Sequence, residues 1–118
     1  MMASVRMIER VEGRGAPALL LHAAASTGEQ WRHLAQRLAG SHSVVVVDLL
    51  GEGKSPPVPA GAPILETELA LLEERLCALE EPVALVGHSY GGLLALELAR
   101  RRRGASRRSW SSSRPCFT

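Results

Sequence analysis

Unbroken aliphatic runs are the clearest feature of the hydrophobic pattern along this chain. Residues 44–47 are four consecutive valines, and residues 83–86 read Val-Ala-Leu-Val. Runs of this length without polar interruption are typical of strands buried on both faces, as in parallel sheets covered by helices. Residues 18–21 have the same character, whereas residues 5–12 alternate only in part and suit a strand at the rim of a sheet. The pattern predicts four strands.

Two stretches between these runs carry apolar residues at helical spacing. The first predicts a helix over residues 29–39 that Ser26 or Thr27 can cap and Gly40 ends. The second predicts a helix over residues 64–80. The apolar faces consist of Trp31, Leu34, Ala35 and Leu38 in the first helix, and of Leu65, Leu69, Leu72, Leu76 and Leu79 in the second.

The order of these elements predicts an α/β fold with a mostly parallel sheet and flanking helices. Parallel strands joined by helices make right-handed crossovers, and sites in such sheets lie at the carboxyl ends of the strands. His22, Asp48 and Ser89 each follow the end of a predicted strand. We therefore expect these three residues to come close to one edge of the sheet.

Ser89 lies in the sequence Gly87-His88-Ser89-Tyr90-Gly91, a Gly-x-Ser-x-Gly pattern. The pattern follows an aliphatic run and precedes Leu-Leu-Ala-Leu-Glu-Leu-Ala, which favours a helix. This context predicts a tight strand-to-helix turn that lifts the serine hydroxyl out of the sheet. The backbone N–H of Tyr90 would then face a developing oxyanion at the helix N-terminus. An ordinary serine in a glycine-flanked turn is the alternative interpretation.

The charge of the chain is unevenly distributed. Residues 1–99 carry seven Arg or Lys and twelve Asp or Glu, a net −5, whereas residues 100–118 carry seven Arg and no acid. The basic end could contact nucleic acid or another anionic surface, could be a disordered solubilising tail, or could come from a shifted reading frame. We favour the third interpretation, because an Arg/Ser-rich run stands where another aliphatic strand is expected. Nothing in residues 1–99 indicates nucleic-acid binding.

Composition excludes several other classes of protein. The two cysteines form no metal-binding motif, so we expect neither a metal site nor a cofactor. No stretch approaches the roughly 18 apolar residues of a membrane span, and the N-terminus has no apolar core of signal-peptide length. We expect a cytoplasmic protein without a membrane partner. Its oligomeric state cannot be read from the sequence.

Four segments together resemble the N-terminal half of the α/β-hydrolase fold family. They are residues 19–23 (Leu-Leu-Leu-His-Ala), residues 48–55 (Asp-Leu-Leu-Gly-Glu-Gly-Lys-Ser), the Gly-x-Ser-x-Gly pattern and the helix after it. The resemblance covers about residues 5–103. It implies that Ser89 is the nucleophile and that the backbone N–H groups of Tyr90 and of the loop after His22 are oxyanion donors. It also implies a structural role for Asp48.

The sequence departs from the family pattern at two places. The family has His-Gly at the end of the strand where this chain has His22-Ala23, so the second oxyanion donor is assigned to Ala24, with Ala23 as the alternative register. In the family the acid and the histidine follow the serine. After Ser89 the only acid is Glu97, and no histidine follows at all. No triad acid or base is therefore found.

These observations predict an α/β-hydrolase family protein whose intact relatives use a serine nucleophile on an ester or other small-molecule acyl substrate. We expect residues 1–103 to form the N-terminal part of the domain, incomplete after the helix that follows Ser89, and residues 104–118 to be a basic, disordered tail. We expect the chain to be truncated. A non-catalytic module with the same fold, binding a partner or ligand, is the alternative.

Overall fold

The fold is a mixed β-sheet with helices on both faces. The computed structural model describes residues 5–79 and 82–104, so the predicted tail at 104–118 lies almost wholly outside the described residues. The described elements, in chain order, are β1 (Ile8–Glu12), β2 (Ala16–Leu21), a 3-10 turn (Gly28–Trp31), α1 (Arg32–Leu38), β3 (His42–Asp48), α2 (Ile64–Leu79), β4 (Ala84–Gly87) and α3 (Tyr90–Gly104).

The sheet has the strand order β1-β3-β2-β4. Strand β2 pairs in parallel with both β3 and β4, and β1 pairs antiparallel with β3 at the rim, where the sequence places it. The chain passes from β2 to β3 on one side, then crosses back over β2 to form β4 on the other side. The carboxyl ends of β2 and β4 therefore flank the point where the strand order reverses, which is where open α/β sheets bind ligands. The predicted α/β class is confirmed.

Each face of the sheet buries its own hydrophobic core. On one face Val44 and Val46 pack with Leu20 and with Ala35 of α1. On the other, Val45 and Val47 pack against apolar residues of α2 and α3. Because side chains alternate between faces along a strand, four consecutive valines can fill both cores. The prediction of a strand buried on both faces is confirmed for β3.

The second aliphatic run is less buried than its sequence suggests. Strand β4 pairs only with β2 among the described residues, so it lies at the edge of the described sheet. Ala84 is exposed, and Leu85 and Val86 are only partly buried. A strand without a second neighbour keeps part of its surface open to solvent, as expected for this strand in a fold that is incomplete after the next helix.

The predicted helices form, with differences at their ends and faces. The first begins as a 3-10 turn capped by the Thr27 hydroxyl, which accepts from the Glu29 N–H at 3.1 Å. Its predicted apolar face is only partly covered, since Leu34 is 37% exposed. On α2, Leu65 is likewise 38% exposed while Leu69 and the two buried leucines after it carry the packing. Within the described residues, no helix has the length and apolar character that crossing a membrane requires.

Candidate active site

Ser89 lies in the tight turn between β4 and α3, here called the β4–α3 turn (His88 and Ser89). Its φ is +56°, a left-handed backbone conformation that non-glycine residues rarely adopt. Two hydrogen bonds close the turn, from the Gly91 N–H to the His88 carbonyl at 2.9 Å and from the Leu93 N–H to the Ser89 carbonyl at 3.0 Å. Ser89 is exposed, as the sequence predicts.

The two glycines of the pattern allow backbone segments to approach closely. A Cβ atom on Gly87 would collide with the backbone of Gly91, and a Cβ atom on Gly91 would collide with the carbonyl groups of Leu21 and His22. The His88 N–H also donates to the Leu21 carbonyl at 3.1 Å. The β4–α3 turn is therefore held directly against the end of β2. Only residues without a side chain fit at these two positions.

Tyr90 is the first residue of α3, and its side chain reaches α2. The first N–H groups of an α-helix have no intrahelical acceptor, so the Tyr90 amide lies where a ligand oxygen can be bound. The Tyr90 hydroxyl donates to Oε1 of Glu68 at 2.5 Å. Burial, together with this carboxylate, raises the pKa of Tyr90 above its usual value. The phenol therefore stays protonated and acts as a tether between α3 and α2.

Glu68 is a functional candidate that the sequence prediction missed. It is 2% exposed, and burial raises the pKa of its carboxyl, against the opposing effect of hydrogen bonds from Tyr90 and the Leu50 backbone. A signal was present in the sequence, because Glu68 stands three residues after Leu65 and four before Leu72, on the apolar face of the predicted helix. A carboxylate at such a position needs a buried hydrogen-bond partner.

The loop after β2 supplies the other predicted donor. Ala23 N–H donates to Oε1 of Gln30 at 2.9 Å, and Ala25 N–H donates to Oε2 of Glu52 at 3.1 Å. Between them, the Ala24 N–H has no acceptor among the described residues. Ala24 is exposed and borders a cavity of about 550 Å³ that Tyr90 also lines. The loop after β2 and the first residue of α3 thus border one cavity, while the roles of Ala24, Tyr90 and Ser89 in chemistry stay predictions.

His22 is part of the framework of the site. It is fully buried, and both ring nitrogens are used. Nδ1 faces the Ala23 carbonyl at 2.7 Å and Nε2 accepts the Leu49 N–H at 2.9 Å. Because a carbonyl can only accept, Nδ1 carries the proton. The ring joins the loops after β2 and β3, so His22 supports the framework of the site.

Asp48 organises the loop after β3. Its two carboxylate oxygens accept the Gly28 N–H at 2.7 Å and the Lys54 N–H at 3.0 Å. Its carbonyl accepts the Ser55 hydroxyl at 2.5 Å, and Ser55 in turn accepts the Ile8 N–H at 2.7 Å. Every strong acceptor of Asp48 is engaged within this framework. The carboxylate therefore shapes the loop, in line with the expected structural role.

No histidine or acid among the described residues is bonded to Ser89. His33 is exposed on α1, and His42 begins β3 at the far end of the sheet, where Nδ1 lies 2.8 Å from the Ser41 hydroxyl. Glu97 is engaged with Arg100 and Arg101 on α3, and hydrogen bonds from these guanidinium groups lower the pKa of its carboxyl to about 2. Glu97 is thus held as a carboxylate in an ion-pair network.

Comparisons with known proteins agree with this fold. The model of the alpha/beta hydrolase family matches residues 18–113, which runs beyond the end of the resemblance expected from the sequence. The chain therefore belongs to the alpha/beta hydrolase family.

The curated relatives include an esterase and a haloalkane dehalogenase. The chain is 40% identical over 88 residues to a pimeloyl-[acyl-carrier protein] methyl ester esterase of Aeromonas hydrophila, covering 74% of this chain and 33% of that protein. It is 34% identical over 90 residues to a haloalkane dehalogenase of Agrobacterium fabrum, covering 75% and 29%. The chain thus spans about a third of the length of these relatives.

Solved structures give the same family. A marine microorganism esterase superposes with a TM-score of 0.74 at 27% identity, over 85% of this chain and 38% of that one. A haloalkane dehalogenase from Agrobacterium tumefaciens C58 superposes with a TM-score of 0.72 at 31% identity, over 82% and 33%. The predicted family is confirmed, and the relatives named above are esterases and haloalkane dehalogenases.

Proposed function

We propose that this chain carries the nucleophile and the oxyanion donors of a serine hydrolase that acts on an ester or other acyl substrate. The observation that supports this most directly is the left-handed backbone of Ser89 at the start of α3. Such a conformation costs free energy and is retained mainly where function requires it. With this backbone an exposed Ser89 directly before α3 would present its hydroxyl beside a helix N-terminus, as the nucleophile of this fold requires.

We assign the oxyanion donors to the Tyr90 and Ala24 backbone amides. Both residues border the same cavity, and the Ala24 N–H has no acceptor among the described residues. The alternative register, Ala23, is disfavoured because its N–H already donates to Gln30. Two N–H donors that converge on one point stabilise the tetrahedral oxyanion more than they stabilise the planar carbonyl.

The reaction would proceed through an acyl-enzyme. Ser89 Oγ attacks the acyl carbon, its proton passes to a base, and the alcohol leaves with a proton as the carbonyl re-forms. Water then attacks the acyl carbon of the Ser89 ester, the bond to Oγ breaks, the carboxylic acid is released and Ser89 regains its hydroxyl proton. The described residues offer no base to Ser89, so we assign the missing acid and histidine to the part of the fold that this chain, at a third of its relatives' length, does not match.

The cavity beside the proposed donors suits an apolar acyl or alcohol group. Its lining is mainly aliphatic, and the charged residues that border it are both acidic, Glu52 and Glu68. Neutral small-molecule esters would fit this lining better than substrates with a free carboxylate, because like charges repel. The esterase relatives have the same reaction class.

Covalent labelling by a fluorophosphonate tests the proposal. Without a base the reaction should be slow, so the full chain is incubated for hours and the adduct is located by peptide mass spectrometry. Added imidazole, which supplies a general base from solution, should speed the labelling. We expect one adduct, on Ser89, which is absent in Ser89→Ala. Ser41 is a second exposed serine, so Ser41→Ala is the control and should label like the wild type.

A non-catalytic module that binds a ligand in the same cavity is the second candidate function. It is favoured because no acid or base among the described residues is hydrogen-bonded to the Ser89 side chain. The same experiment separates the two. If Ser89 carries no adduct even with imidazole, while a neutral ester analogue such as methyl hexanoate binds, the nucleophile assignment is wrong and the binding module remains.

A further inference from the structure

Gln30 is a surface residue that connects the two halves of the candidate site. It lies in the 3-10 turn before α1, in no motif, and nothing in the sequence prediction singled it out. Oε1 accepts the Ala23 N–H at 2.9 Å, and Nε2 lies 3.0 Å from Nδ1 of His88. Ala23 immediately precedes one proposed oxyanion donor, and His88 precedes Ser89 and the other donor. One side-chain amide therefore touches both segments.

The chemistry of the partners fixes the direction of both hydrogen bonds. A backbone N–H can only donate, so it must face the amide oxygen of Gln30. The amide nitrogen then faces His88 and can only donate, so Nδ1 of His88 must be the acceptor. The neutral His88 ring consequently carries its proton on Nε2. This tautomer is a specific and measurable consequence of the link.

We propose that Gln30 is a positioning residue that fixes the separation of the Ala24 and Tyr90 amides by binding the loop after β2 and the β4–α3 turn at once. This inference rests on the proposed function. Oxyanion donors act only when they converge within about 3 Å of the developing charge, and an error of about 1 Å in such a site costs about 100-fold in rate. Backbone contacts hold β4 against β2. Among the described residues, the side chain of Gln30 is what hydrogen-bonds the loop after β2 to the β4–α3 turn.

Two variants test the two hydrogen bonds of Gln30, one by removing both and the other by keeping only the bond to Ala23. Gln30→Leu removes both hydrogen bonds. Gln30→Glu keeps an acceptor for Ala23 but can no longer donate, so it favours a proton on Nδ1 of His88. Gln36→Leu is the matched control, because Gln36 is exposed on α1 and its side chain forms no hydrogen bond with the described residues. Since Gln30 is exposed, none of these changes should unfold the chain.

The first measurement is nitrogen-15 NMR of the full chain and needs no catalysis. In Gln30→Leu we expect exchange of the Ala23 amide to accelerate about threefold to tenfold, the range of one modest hydrogen bond, and His88 to lose its Nε2–H tautomer preference. In Gln30→Glu we expect slow Ala23 exchange together with a His88 ring protonated at Nδ1. Spectra of Gln30→Leu that match Gln36→Leu at both residues would overturn the inference.

The second measurement is the rate of Ser89 labelling in the presence of imidazole. We expect Gln30→Leu to label at least about tenfold more slowly than the wild type, and Gln36→Leu to label at the wild-type rate. Equal rates for the two variants would overturn the positioning role. A wild-type chain without any Ser89 adduct contradicts the proposed function instead, and the NMR changes alone then decide whether Gln30 holds the two segments together.

Discussion

The loop after β3 and the β4–α3 turn reach the same edge of the sheet, but they differ in how they accommodate left-handed backbone. In the loop after β3 the left-handed positions are glycines, with φ of +80° at Gly51 and +52° at Gly53. In the β4–α3 turn the left-handed position is Ser89, at +56°. A side chain at such a position costs about 1–2 kcal/mol. The first segment avoids this cost and the second retains it.

The two segments also differ in hydrogen bonding, which is more complete in the loop after β3 than in the β4–α3 turn. Asp48 engages both of its carboxylate oxygens and its carbonyl, so the loop after β3 is a closed framework. The Ser89 side chain is exposed, and no hydrogen bond joins it to the described residues. A segment that keeps a strained residue and an unengaged hydroxyl is typical of a reactive position, whereas a fully bonded loop is typical of a support.

The largest expected effect comes from placing a side chain in the framework loop. In Gly53→Ala the new Cβ would collide with the Asp48 carboxylate. The variant would therefore carry left-handed backbone strain and also lose hydrogen bonds that this carboxylate accepts. We expect unfolding free energy to fall by about 3 kcal/mol. Equilibrium urea denaturation measures it. Gly61→Ala is the matched control, because Gly61 has a φ of +82° but nothing lies near its Cβ position, and it should lose only about 1–2 kcal/mol.

A difference of less than about 0.5 kcal/mol between these two glycine variants would show that the Asp48 framework adds little stability. The supporting role of the loop after β3 would then be wrong, and with it the contrast to the β4–α3 turn.

The burial contrast between β3 and β4 gives the next effect. Val46 and Val86 are the neighbours of Leu20 on its two sides, in β3 and β4. Val46 is 3% exposed, whereas Val86 is only partly buried. We expect Val46→Ala to cost about 2 kcal/mol and Val86→Ala less than about 1 kcal/mol in urea denaturation. Equal costs would indicate that β4 is covered in solution by something outside the described residues.

These two strands also show how far sequence reasoning reaches. The runs at 44–47 and 83–86 are alike in pattern, and both were correctly predicted as strands. Their difference in burial depends on the number of neighbours, which is set by the strand order and not by the run itself. The antiparallel pairing of β1 is likewise a property of the assembled sheet.

The candidate site divides in the same way. Ser89, Tyr90 and the glycines around them stand in one short pattern, so their local geometry could be predicted from it. Gln30 and Glu68 could not be identified by any motif, because each bonds to a residue more than 20 positions away, His88 for Gln30 and Tyr90 for Glu68. The helical position of Glu68 is a signal of burial that the sequence prediction did not use, and it does not indicate which group Glu68 binds.

The smallest effect concerns the strain at Ser89 itself. Ser89→Gly relieves about 1–2 kcal/mol of left-handed strain. Glycine also makes the unfolded chain more flexible, and this lowers the unfolding free energy by about 0.5–1 kcal/mol. We therefore expect a gain of about 0.5 kcal/mol in unfolding free energy, measured by urea denaturation. Ser89→Ala is the control, since it removes the hydroxyl and keeps the strained φ, and its stability should stay within about 0.3 kcal/mol of the wild type. If Ser89→Gly is less stable than Ser89→Ala by about 0.5–1 kcal/mol, only the entropy term is seen and the turn stores no strain. The comparison with the glycines of the loop after β3 would then lose its energetic basis, and the support that the backbone of Ser89 lends to a nucleophile would be lost with it.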